Sequence, residues 1–183
     1  PDVQISDSPF PFLGGAVGYV GYDMIRQYEE IGGMPPDDLK MPDAHLMFYR
    51  DIIVYDHLKQ QISIVSTGTE REEAAFMQRA ESLERQIRED VGKDVEAEDS
   101  PRIQFRPGVT QEAFKSRVRA AKEEIAKGEI FQVVLSQRYT TEFHGDALRF
   151  YRNLRRHNPS PYMYFIDFQD YQVVGSSPES LVK

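Results

Sequence analysis

Apolar and polar residues follow two different periods along this chain, and each change of period marks an element. Beyond Thr110, Phe114, Val118, Ala121 and Ile125 recur at helical spacing. Thr110 is placed to cap that helix, Glu112 puts negative charge in its first turn, and Gly128 is where it should stop. Ile130, Phe131, Val133, Val134 and Leu135 then form an apolar run rich in β-branched residues. It predicts a central strand buried on both faces, around which the rest is organised. Gln132 is the one polar side chain inside it. An amide buried without partners costs about 1–3 kcal/mol, so Gln132 either bonds neighbouring backbone or faces a pocket.

Elsewhere the same patterns predict further elements. Phe12 to Ile25 interleaves Gly14, Gly15, Gly18 and Gly21 with Ala16, Val17, Tyr19, Val20 and Tyr22. No Gly-Lys-Ser/Thr follows, so a strand closely approached by another backbone fits better than a phosphate loop. Tyr22 to Glu29 reads as helical and Ile31 to Pro42 as loop. Leu46 to Tyr55 and Gln61 to Val65 flank Asp56–Lys59 as a hairpin, with His57 a solvated turn residue. Phe76, Ala80, Leu83, Ile87 and Val91 make one stripe of a helix over 70–91. Residues 92–107 turn acidic and aperiodic, a linker between two halves of a single domain spanning 1–183. A helix over 146–157 turns Leu148, Tyr151 and Leu154 inward; its Arg152, Arg155 and Arg156 could form an anion site but suit a helix tail more simply. Asn158-Pro159-Ser160-Pro161 is a turn. Tyr162 to Phe168 and Tyr171 to Val174 form a second hairpin, followed by Gly175-Ser176-Ser177-Pro178-Glu179. Taken alone, Glu179 is an acidic residue at the start of another turn.

Composition narrows the chemistry. With 183 residues, 40% of them hydrophobic, one domain with a real core is expected. The chain has no cysteine, which excludes disulfides, thiolate catalysis and zinc–sulfur sites and fits a reducing cytoplasm. Its four histidines, His45, His57, His144 and His157, lie at no zinc-ligand spacing. A net charge of −8 argues against nucleic acid or an anionic membrane as partner. No run approaches the roughly 20 apolar residues of a membrane span, and no signal peptide is visible.

Three stretches together resemble one family. FLGGAVGYVGYD, GEIFQVVLSQR, and NPSPYMYF followed by GSSPE are similar in order and spacing to the chorismate-using enzymes, most of all to the large (component I) subunits of anthranilate synthases. The resemblance runs from about Phe12 to the last residue. It implies an α+β fold of antiparallel β-sheets packed face to face with helices outside. It also implies that the chain, which starts at Pro1, is the middle of a longer protein. The family's LLES motif would precede it, and the magnesium-ligand glutamates would follow it.

The same resemblance implies roles. Where relatives that add water to chorismate carry a lysine as general base, this chain has Gln132. Glutamine has no titratable group, but it can position ammonia, which is already basic. Glu179 matches the general acid that protonates the departing C4 hydroxyl of chorismate; with an ordinary pKa of about 4.3, it needs burial or nearby negative charge to hold its proton. Asn158, Pro161, Tyr162, Met163 and Tyr164 match the segment that binds tryptophan as feedback inhibitor, although their pattern alone suits an aromatic stripe packed into a core. Magnesium is the implied cofactor and a glutamine amidotransferase subunit the implied ammonia source. Aminodeoxychorismate synthase component I, or a non-catalytic tryptophan-binding or structural piece, are the competing identities.

Overall fold

The structure, a computed structural model, describes residues 8–34, 36–89 and 103–182. It divides into two compact units, Pro1–Val95 and Glu96–Lys183. Residues 92–102 of the expected linker lie outside the described part, as does Val91 at the end of the first helical stripe.

In the first unit, β1 (Gly15–Val20) pairs antiparallel with β2 (Ala44–Tyr49), and β3 (Asp51–Asp56) pairs with β4 (Gln61–Ser66). Gly18 lies opposite Leu46, and a Cβ there would collide with the His45 carbonyl. That is the close backbone approach a glycine in a strand signals. A 3-10 helix over Tyr22–Gln27 follows β1. The run from Leu46 to Tyr55, read as one strand, divides at Arg50. There the carbonyl accepts from the backbone N–H and the hydroxyl of Thr67 at 2.9 and 3.2 Å. The chain bends, and its two halves pair with different neighbours. Asp56 closes the β3–β4 turn by accepting from the N–H groups of Leu58 and Lys59. Helix α1 (Glu73–Glu89) half-buries Phe76, Ala80, Leu83 and Ile87 and packs on β4.

In the second unit, α2 (Gln111–Lys127) begins where Thr110 Oγ1 accepts from the Ala113 N–H at 3.2 Å. It ends at Gly128, whose φ of 81° is the left-handed cap the sequence predicts. The short strands β5 (Arg106–Pro107) and β6 (Tyr139–Thr140) pair with each other. Asp146 caps α3 (Ala147–His157), which packs against the hairpin of β7 (Tyr162–Asp167) and β8 (Gln172–Ser177). The Tyr151 and Phe165 rings meet there with centroids 5.9 Å apart.

The fold is α+β, and among the described residues every strand pair is antiparallel, in four two-stranded ladders. Two expectations are corrected. Ile130 to Leu135 is not a strand: no ladder partner lies against it among the described residues, and Phe131 and Val134 are 93% and 84% exposed. A β-branched run favours extension, but a central strand also needs neighbours on both edges. The expected core is not assembled either. Phe168 is the one buried hydrophobic residue among those described, because a two-stranded ladder leaves much of its surface open.

Candidate functional site

The site residues expected from the sequence fall in the second unit, and the β7–β8 hairpin gathers most of them. Tyr162 pairs with Ser177 and Met163 with Ser176, which brings the start of β7 beside the turn that carries Glu179. Strand alternation puts Tyr162 and Tyr164 on one face, 46% and 42% exposed, and Met163 on the other, half-buried. Tyr164 lies across from Gly175, and a Cβ on Gly175 would collide with its ring. Pro161 is exposed, and Asn158 ends α3 by donating its N–H to the Leu154 carbonyl at 2.8 Å.

Hydroxyls not singled out in the sequence tie these pieces together. Ser160 Oγ lies 2.8 Å from Ser176 Oγ, and Ser176 Oγ donates to the Asn158 carbonyl at 2.9 Å. Ser177 Oγ donates to the Glu179 carbonyl, also at 2.9 Å. The signal available beforehand was serine beside proline in NPSP and SSPE, a composition common to any turn. Knowing that the two turns touch requires the β7–β8 register.

Glu179 itself is exposed, so the described residues do not supply the burial that the expected acid role would need. Gln132 is exposed as well and makes no hydrogen bond among them. It is therefore not brought into the cluster formed by Asn158, the start of β7 and Glu179. Nor do three acidic or histidine side chains converge on a point a metal could occupy among the described residues. The donors among the described residues therefore do not fit a magnesium ion.

The first unit holds an open cleft of about 360 Å³ lined by Asp51, Ile53, Arg79, Ser82 and Leu83. Arg79 donates to Asp51 at 2.9 Å and rests over the Phe76 ring, 4.9 Å from its centroid. The Ser66 hydroxyl across the ladder, and then Arg79, hold the Asp51 carboxyl below its ordinary value, against the opposing effect of burial. Ser66 Oγ and Asp51 Oδ1 nonetheless make no hydrogen bond of standard geometry, so Arg79 is the defined partner. With its one cation already paired to a carboxylate, the cleft offers little to a charged ligand.

Comparison with known proteins adds independent information. Residues 2–183 match the family described as chorismate binding enzyme. Anthranilate synthase component 1 of Acetivibrio thermocellus is 40% identical over 94% of this chain and 37% of its own length. The chloroplastic anthranilate synthase alpha subunit 1 of Arabidopsis thaliana is 36% identical over 100% of this chain and 34% of its own. Among solved structures, anthranilate synthase component I from Streptococcus pneumoniae TIGR4 superposes with a TM-score of 0.83 at 41% identity, covering 97% of this chain and 41% of that one. The chain thus spans about two-fifths or less of the length of these relatives.

Proposed function

The chain belongs to the family of chorismate binding enzymes, and on that premise we propose that it is part of the component I subunit of an anthranilate synthase. The proposed reaction takes chorismate and ammonia to anthranilate, pyruvate and water. Ammonia adds to the ring, the C4 hydroxyl departs as water, and loss of the enolpyruvyl group as pyruvate leaves the aromatic product. Glu179 gives its proton to the departing hydroxyl, and Gln132 orients the ammonia without needing to deprotonate it. The observation that carries this reading is the β7–β8 register, in which Tyr162 lies across from Ser177 and so sets the Asn158–Tyr164 segment beside the Ser-Pro-Glu turn. Tryptophan is proposed to bind at the segment holding Asn158, Pro161, Tyr162, Met163 and Tyr164; the exposed faces of Tyr162 and Tyr164 suit an indole, and Met163 supports the strand from its other side.

Ammonia is proposed to come from a glutamine amidotransferase partner, since no cysteine of this chain can form a glutaminyl thioester. Magnesium is proposed as cofactor, held by residues other than those described. No helix among the described residues is long and apolar enough to cross a membrane, and the absence of cysteine supports a cytoplasmic setting.

The test uses the full-length protein with chorismate, magnesium and ammonium, followed by anthranilate fluorescence. Glu179→Gln keeps shape and hydrogen bonding but removes the acid. Turnover is expected to fall roughly 10²–10⁴-fold, with the KM for chorismate moving much less. Near-normal turnover would remove Glu179 from the mechanism. Accumulation of aminodeoxychorismate in place of anthranilate would assign the rival activity.

A further inference from the structure

Ser176 stands where three pieces of the second unit meet. A serine hydroxyl has one proton to give, and Ser176 gives it to the Asn158 carbonyl at 2.9 Å. The 2.8 Å contact between Ser160 and Ser176 must therefore run the other way, with Ser160 as donor. Asn158 is also the residue that closes α3. One half-buried hydroxyl thus fixes the end of α3 and the proline turn to the last residues of β8. The next residue, Ser177, holds the backbone of Glu179 through its own side chain. Pro178 restricts the link between them.

From this geometry we infer that Ser176 is a positioning residue, coupling the Asn158–Tyr164 segment to Glu179. Anything that seats on the segment and shifts the 158–160 turn pulls on Ser176, and Ser176 lies in the strand that delivers Glu179. Neither Ser160 nor Ser176 needs to touch substrate or effector. The inference rests on the function proposed above, in which Glu179 is the acid and tryptophan the occupant of the segment.

The experiment compares Ser176→Ala, Ser176→Thr and Ser160→Ala in the full-length protein. It reads turnover, the KM for chorismate and the tryptophan inhibition constant. Ser176→Ala removes both hydrogen bonds. Turnover is expected to fall and the inhibition constant to rise, each by roughly 3–10-fold, with KM little changed. Ser176→Thr keeps the hydroxyl and restores both. Ser160→Ala spares the bond to Asn158, so it weakens inhibition more than turnover, and it serves as the test should Ser176→Ala fail to fold. Turnover and inhibition both untouched in Ser176→Ala would overturn the coupling, as would losses that threonine leaves unrepaired. If the unmodified protein makes no anthranilate or ignores tryptophan, the proposed function fails and this inference with it. If the unmodified protein does both and the variants match it, only the coupling fails.

Discussion

Gln132 and Asp51 show how differently a single side chain can be constrained. Gln132 sits exposed, in a run whose other members are apolar, and is expected to border the path of ammonia in the full-length enzyme. Gln132→Lys puts an amine of similar length where water-using relatives carry one. Ammonia-dependent anthranilate formation is expected to fall, and a trace of hydroxylated product is the most that should appear. Unchanged amination kinetics in a folded variant would show that the side chain does not face the pocket. Asp51 is instead held by its neighbours. Its carboxyl sits below the ordinary value of 3.8, so the folded chain keeps the charge at a pH where the unfolded chain has begun to take up protons. The resulting stabilisation is full above 3.8 and is lost as pH falls below that through the lower folded value. Protection of the β3–β4 amides in the full-length protein should therefore drop below that pH. In Asp51→Asn the protection at pH 6 should be lower and the acid step smaller. An acid step of equal size in the variant would point to a different group.

At the scale of elements, what could be read from the sequence was what the chain decides locally. Thr110 starts α2 through its hydroxyl, Gly128 ends it because a residue without a Cβ accepts the left-handed conformation, and Asp146 caps α3. The two hairpins lie where their turn residues put them. Pairing between distant segments was not legible. Leu46 to Tyr55 looks uniform, yet it bends at Arg50, whose carbonyl accepts from the backbone and hydroxyl of Thr67, 17 residues away. Ile130 to Leu135 carries a strand's composition, which says nothing of who stands beside it. The candidate site divides in the same way. The motif segments holding Asn158, Tyr162 and Glu179 could be recognised, whereas the Ser160–Ser176 contact depends on register. The local character of α2 gives a direct test. Its cap is self-contained, so a peptide over residues 109–129 should be partly helical by circular dichroism. Thr110→Ala should lower its helicity by the equivalent of about 0.5 kcal/mol, the low end for capping residues. Equal helicity would mean that the Thr110 hydroxyl contributes nothing.

For the whole molecule the governing quantity is exposed surface. Among the described residues, large apolar side chains such as Phe48, Phe131 and Val134 are each more than 80% exposed. A chain of this kind, studied alone, should bind a hydrophobic dye, unfold without a sharp transition and form no anthranilate from chorismate, magnesium and ammonium. Steady anthranilate production or a single cooperative melt would contradict this. The open run after α2 has a further consequence, for synthesis rather than catalysis. From Ile130 to Ser136 there is no charge, glycine or proline, the composition from which fibrillar self-pairing starts. Glu129 on one side and Arg138 beyond the other act as gatekeepers, because stacking copies in register would stack like charges. Neutralising both should send newly made chains into aggregates.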